Sequence, residues 1–246
     1  MGRACGPDDE MRNILIIAQW DGTEFSGWQY QPGQRTVQGT IAIAAEAMVH
    51  HPVELWASSR TDSGVHGLMQ VVHLDTDLVR EPFSWVRGTN TFLPADIAVQ
   101  WAHPVPDAFH SRASAIGRRY AYLMLESPVR PSIDAGRAGW VFRPLDGEAM
   151  RQAALLLLGE HDFTSFRASA CQARSPVKHL RSVAITQRGA YWRFDFEANA
   201  FLHHMIRNIM GCLIAVGQGH KSPGWIADVL AARDRDAAAP TFSPDG

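Results

Sequence analysis

Hydrophobic periodicity along this chain switches repeatedly between two and about 3.6 residues, and the order of the switches limits the folds open to it. Asn13–Gln19 is a continuous apolar run, predicted as a buried strand. Thr36 precedes a stretch reaching His50 in which Val37, Ile41, Ala44, Ala45 and Met48 recur at helical spacing, so Thr36 is placed as a helix cap. Val53–Ser58 and Gln70–Thr76 read as strands, Pro82–Asn90 as a less regular helix, and Ile97–His103 as a strand ended by Pro104 and Pro106. The order β-α-β-β-α-β is that of the ferredoxin-like split unit.

The pattern then restarts. Over Ala115–Glu126, Arg118, Tyr120, Tyr122 and Met124 face one way, and Arg119, Ala121, Leu123 and Leu125 the other. Asp146 caps an Ala/Leu-rich helix ending near Gly159. Arg181–Gln187 and Tyr191–Ala198 form a hairpin around Gly189. Phe201–Val216 is a helix, and Ser222-Pro223 opens a last one reaching Arg233. This half reads β-α-β-β-α-α, so a closing strand is expected to be absent. The expected fold is α/β (α+β): two ferredoxin-like units, also described as RRM-like, share one large, mostly antiparallel sheet with helices packed on it. The expected organisation is a disordered acidic N-terminus over 1–10, an α/β subdomain over 11–110, and a second, C-terminally incomplete subdomain over 111–246.

Composition excludes several classes. Hydrophobic residues make up 46% and charged residues 20%, which are values of a folded globular chain. Cys5, Cys171 and Cys212 are scattered and odd in number, so neither a disulfide framework nor a zinc knuckle follows, and a reducing cytoplasm is expected. The acidic start (Asp8, Asp9, Glu10) is unlike a secretory signal. No run approaches the roughly 18 apolar residues of a membrane span.

The net charge is −2, unlike a dedicated nucleic-acid binder, yet the distribution is uneven. Phe163–Phe194 holds Arg167, Arg174, Lys178, Arg181, Arg188 and Arg193 and no acid. Arg112, Arg118 and Arg119 form a second cluster. Lys178 and Lys221 are the only lysines among 23 basic residues. Arginine forks match phosphate and stack on bases, which fits RNA; a GC-rich genome gives the same bias.

Two segments could carry chemistry. Arg60, Thr61, Asp62, Ser63, Gly64, Val65 and His66 form a loop between two strands, the usual setting of a site. An Asx-type turn at Asp62 explains the same residues without function. In the helix from Phe201, His203 and Arg207 share a face, as do His204 and Asn208. Arg207 stands among apolar residues and needs a carboxylate partner, for which Asp62 is a candidate and a surface acid the bland alternative. His203-His204 is not read as a metal pair. The chain lacks a Walker A loop, GxGxxG, HExxH and GxSxG. A cofactor-free enzyme or a binding module remains.

The sequence resembles the tRNA pseudouridine synthase A family. The resemblance rests on Asp21-Gly22-Thr23 with Gly27-Trp28-Gln29, Thr36-Val37-Gln38-Gly39, Arg60-Thr61-Asp62 with Gly64-Val65-His66, and Gln70-Val71-Val72-His73. It continues through Arg118-Arg119-Tyr120-Ala121-Tyr122, Gly159–Phe166 and Asn199–Asn208, covering nearly the whole chain. It implies cofactor- and metal-free isomerisation of uridine to pseudouridine in the anticodon arm, at tRNA positions 38, 39 and 40, by a homodimer whose subunits share one tRNA. By motif match, Asp62 corresponds to the catalytic aspartate, expected as nucleophile. Tyr120 corresponds to the active-site tyrosine, Arg207 to the arginine paired with the aspartate, and Arg60 to the arginine near the flipped base.

Substrate contacts are expected from Arg60, Tyr120 and His66, and from Arg118, Arg174, Lys178 and His203. The carboxylate either attacks C1′ or removes a neighbouring sugar proton; an arginine beside it would keep it charged. A tyrosine near the base can stack and relay the C5 proton. Flipping the base out of its stack costs a few kcal/mol. Family members carry a further Gly-Leu-x-Leu-type strand, which this chain is expected to lack. A non-catalytic tRNA-binding or chaperone protein is the competing class. An aspartate hydrolase would need a second carboxylate near Asp62, and a strand carries Asp75 and Asp77 away.

Overall fold

The computed structural model describes residues 12–246, in two compact units divided between Ala115 and Ile116. The acidic segment over 1–10 lies outside the described residues.

The first unit comprises β1 (Arg12–Trp20), α1 (Val37–Val49), β2 (Trp56–Ala57), β3 (Gly67–Thr76), α2 (Pro82–Phe92) and β4 (Ile97–Val105). Its sheet has the order β2-β3-β1-β4 with every neighbour antiparallel, the ferredoxin-like arrangement expected from the element order. Thr36 caps α1 by accepting the Gly39 amide. Ile14, Ile16 and Ala18 of β1 pack with Val72 and Leu74 of β3, Val37 and Ile41 of α1, and Trp85 of α2. The strand expected over Val53–Ser58 contracts to two residues. The Val53 amide donates to Glu46 Oε1 and the Leu55 carbonyl accepts from Gln38 Nε2, so α1 side chains take backbone groups a ladder would need.

The second unit comprises β5 (Arg118–Glu126), β6 (Gly139–Val141), α3 (Gly147–Leu155), β7 (Gly159–Asp162), β8 (Val177–Arg188), β9 (Tyr191–Ala198), α4 (Met205–Gly217) and α5 (Trp225–Ala232). The sheet order is β6-β5-β9-β8-β7, with β5 and β6 parallel and the other pairs antiparallel. The short strands β6 and β7 were not foreseen; three or four residues are too few to show a period. Asp146 caps α3 through the Ala149 amide. The helix stops at Leu155, where i→i+3 bonds replace the helical ladder ahead of Gly159 at φ +95°. Residues 238–246 contain no strand.

Two expectations are corrected. The strands form two sheets, four strands in the first unit and five in the second, in place of one shared sheet. The helix expected from Phe201 begins only at Met205. His204, at φ 60°, is left-handed and serves as the N-cap position of α4. Similarly α5 begins at Trp225, because Ser222 and Pro223 form an i→i+3 turn leading into it.

Candidate active site

The Asp62 loop belongs to the first unit, where Trp20–Trp28 encloses it through backbone contacts on both sides of the aspartate. The Trp28 amide donates to the Thr61 carbonyl at 3.1 Å, and the Phe25 carbonyl accepts the Gly64 amide at 3.2 Å and Ser63 Oγ at 3.2 Å. Trp20 Nε1 donates to the Val65 carbonyl at 3.0 Å, and the Gly22 amide donates to His66 Nδ1 at 2.9 Å. The Val65 amide returns to the Asp62 carbonyl at 3.2 Å, which is the turn expected from the sequence, with Gly64 at φ +81°. The residues flanking Asp62 are therefore fixed, and Asp62 itself is half-buried. Thr61 Oγ1 is buried and makes no hydrogen bond among the described residues, a cost of about 1–3 kcal/mol tolerated more readily at functional sites.

Close approach explains two glycines that the sequence displayed without a role. Gly27 lies at φ +81°, and a Cβ there would stand 2.7 Å from the Thr61 carbonyl oxygen. A Cβ on Gly22 would overlap the Val65 carbonyl. Behind the segment, Arg35 forks onto Asp96 at 2.8 and 3.0 Å while its guanidinium lies 4.0 Å from the Phe25 ring centroid. The Asp96 carbonyl accepts the Asp21 amide at 2.9 Å. Asp96 holds the Arg35 guanidinium above the ordinary arginine range. Arg35 and Asp96 were missed because 61 residues separate them; the dispersed glycines were the available signal.

The second unit holds the other motif residues. Tyr120 and Tyr122 lie on the same face of β5, as alternation requires, in different surroundings. Tyr122 is 3% exposed, donates from its hydroxyl to the Ser243 carbonyl at 2.8 Å and packs on Phe242. Burial, reinforced by the Asp245 charge, pushes its phenol above the ordinary tyrosine range. Tyr120 is half-buried, its ring edge-on to Phe201 at 5.0 Å. Arg207 is half-buried in the first turn of α4 and donates from Nε to the Phe242 carbonyl at 2.9 Å. Asn208 is fully buried; its amide donates to Phe166 and its Oδ1 accepts from Arg235 and Thr241.

His203 is exposed and precedes α4, so the helical spacing drawn from it to Arg207 does not apply. Its ring packs on His204 at 4.1 Å, a contact made by the left-handed turn at His204.

The basic residues divide by use. Arg118 donates to the Asn199 carbonyl at 2.9 Å. Arg119 and Arg181 meet Glu197, Arg193 chelates Asp195, and Arg167 binds the Cys171 and Ala173 carbonyls. Lys178 Nζ is tied to the Ser175 and Val177 carbonyls; partial burial lowers its affinity for the proton. Arg60, Arg112, Arg174 and Arg188 are exposed. Cys171 Sγ accepts the His203 amide at 3.5 Å; hydrogen bonds from backbone amides and Arg167 lower its thiol pKa against the opposing effect of burial.

A family model described as tRNA pseudouridine synthase matches residues 16–112 and 153–246. A protein of Polaromonas naphthalenivorans named tRNA pseudouridine synthase A is 66% identical over 237 residues, covering 95% of this chain and 90% of that one. A protein of the same name from Paracidovorax citrulli is 64% identical over 251 residues, with the same two coverages. One from an Acidovorax strain, JS42, is 63% identical over 247 residues, again at 95% and 90%. The matched stretches include Asp62 with its enclosing segment, and the turn and helix carrying Arg207. The chain belongs to the tRNA pseudouridine synthase family.

Proposed function

We propose that this protein is an isomerase converting uridine to pseudouridine in the anticodon arm of tRNA, with Asp62 as its essential group. The observation carrying this reading is the Asp62 loop, whose neighbours on both sides are fixed by backbone contacts in a chain of this family. The reaction breaks N1–C1′ and forms C5–C1′; the C5 hydrogen leaves as a proton and N1 gains one. No electrons are gained or lost overall, so a carboxylate and an acid–base group supply the chemistry needed. Asp62 attacks C1′ or takes a sugar proton, Arg207 supplies the opposing charge, and Tyr120 stacks on the base and relays the C5 proton.

Arg60, Arg118, Arg174, Lys178 and His203 are proposed to contact the RNA; Arg60, Arg174 and His203 are exposed, Arg118 and Lys178 half-buried. Such contacts would hold phosphates while the target base leaves its stack. For His66, expected to contact the substrate, a role in holding the loop is proposed beside that one, since its Nδ1 accepts the Gly22 amide. A homodimer without metal or organic cofactor belongs to the same proposal. So does the cytoplasm, which suits the free thiols of Cys171 and Cys212. None of the helices among the described residues is long and apolar enough to cross a membrane. The family match favours this enzyme over a non-catalytic tRNA-binding protein.

The test is to treat an unmodified tRNA transcript with purified protein and map pseudouridine by carbodiimide adducts. Adducts in the anticodon arm, formed equally in a chelator, support the reading. A transcript bound without adducts would return the chain to the binding-protein class. Sedimentation with and without tRNA tests the homodimer.

A further inference from the structure

We propose that Trp20–Trp28 is the positioning element of the site and that His66 is its principal positioning residue. The inference rests on Asp62 being the essential group. Five residues around Asp62 are tied to this segment: Thr61, Ser63, Gly64, Val65 and His66. Three ties use main-chain carbonyls or amides of the loop, at Thr61, Gly64 and Val65. Two use side chains, the short Ser63 hydroxyl and the His66 imidazole, and His66 closes the loop at the start of β3.

The His66 contact has a defined polarity. The Gly22 N–H points at Nδ1, so Nδ1 is the acceptor and carries no proton. Asp21 Oδ1 also lies 3.3 Å from Nδ1, but a nitrogen accepting from Gly22 has no hydrogen to donate to it. Asp21 Oδ1 is instead committed to the Thr23 amide at 3.1 Å and the Thr23 hydroxyl at 2.6 Å. Asp21 thus shapes the turn that aims the Gly22 amide, and the Gly22 amide orients the imidazole. Gly22 has no room for a Cβ beneath the Val65 carbonyl, so segment and loop are matched surfaces.

Positioning differs from general stability in what it changes. A site displaced by about 1 Å can lose on the order of 10²-fold in rate. Loss of fold would reduce tRNA binding and turnover together. The variants are His66→Ala, which removes the acceptor, and His66→Asn, whose Oδ1 can accept from Gly22, with Asp62→Asn as the control. The expected result is a kcat for His66→Ala reduced by about 10- to 100-fold with tRNA Kd within about twofold, and most of the loss restored in His66→Asn.

Wild-type kcat in His66→Ala beside an inactive Asp62→Asn overturns the positioning role and leaves Asp62 in place. So does an asparagine variant as impaired as the alanine one. An active Asp62→Asn instead removes the reading on which the inference rests. Amide hydrogen exchange in the wild-type protein gives a second test that no folding defect can obscure. The Gly22 amide is expected to exchange far more slowly than an unprotected amide, and exchange at the unprotected rate overturns the His66 contact.

Discussion

Arg207 and Phe242 hold each other twice: Nε of Arg207 donates to the Phe242 carbonyl at 2.9 Å, and the Phe242 amide donates to the Arg207 carbonyl at 3.1 Å. The motif arginine thus fastens the 238–246 segment to α4. Neighbouring contacts repeat the theme, with the Ala239 amide on Cys212 Sγ and the Thr241 hydroxyl on Asn208 Oδ1.

Fastening and charge are separable at this position. Arg207→Lys keeps the charge and loses the Nε donor, whereas Arg207→Met loses both. Each should cost about 1 kcal/mol from the lost hydrogen bond and raise amide exchange over 239–246. If the charge serves the reaction, the lysine variant should retain more turnover than the methionine variant. Equal turnover in the two would confine Arg207 to the fastening.

The two tyrosines should part company. Tyr122→Phe leaves the Ser243 carbonyl without its donor, so thermal denaturation should show a loss of about 1 kcal/mol with turnover largely kept. Tyr120→Phe should lower turnover severely, because it removes the hydroxyl proposed to relay the C5 proton. Turnover lost in Tyr122→Phe but kept in Tyr120→Phe would move the proton relay one residue pair along β5.

His73 should make the fold sensitive to acid. It is 4% exposed, and its Nδ1 lies 3.2 Å from the Ser111 amide as an acceptor. Burial first, then the nearby His110, lowers its pKa from the ordinary 6.5. Between the folded and ordinary values the unfolded chain binds more protons, so stability is complete above about pH 6.5 and falls as pH drops through that window. His73→Gln should lose less stability than wild type between pH 7.5 and pH 5.5, measured by urea denaturation at about those values. Parallel losses in both proteins would assign the acid sensitivity elsewhere.

Charge reversal separates RNA contact from internal bonding. Arg174→Glu, at an exposed position, should weaken tRNA binding and flatten the slope of log Kd against log salt by about one or two contacts. Lys178→Glu should in addition loosen the 175–178 turn, since Nζ is bonded to two carbonyls there. An unchanged salt slope in Arg174→Glu would leave this arginine a solvated surface residue.

Strand and helix identities were legible where a period ran long enough, as in β1, α1, β5 and the β8–β9 hairpin. Boundaries failed where side chains competed for the backbone: Glu46 and Gln38 shorten β2, and the left-handed His204 delays α4. The Asp62 loop stood out through its residue types, yet its enclosure did not. Contacts such as Gly22 to His66 span 44 residues and use backbone groups that every sequence possesses. Glycine spacing in Asp21-Gly22-Thr23 and Gly27-Trp28-Gln29 marked the segment, and only the close approach to Thr61 and Val65 gives those glycines a reason. The stretch over Phe163–Phe194 contains no acid, yet Arg181 and Arg193 meet Glu197 and Asp195 just beyond it on β9.

The most direct test of the Asp62 assignment is release of tritium from tRNA labelled at C5 of uridine, comparing wild-type protein with Asp62→Ala. Forming the C5–C1′ bond expels the C5 hydrogen, so label appears in water only when the isomerisation goes to completion. Wild type should release label from the anticodon arm, while Asp62→Ala should release none and still bind tRNA within a few-fold. Release by the alanine variant at a measurable catalytic rate would contradict the assignment of Asp62 as the essential group.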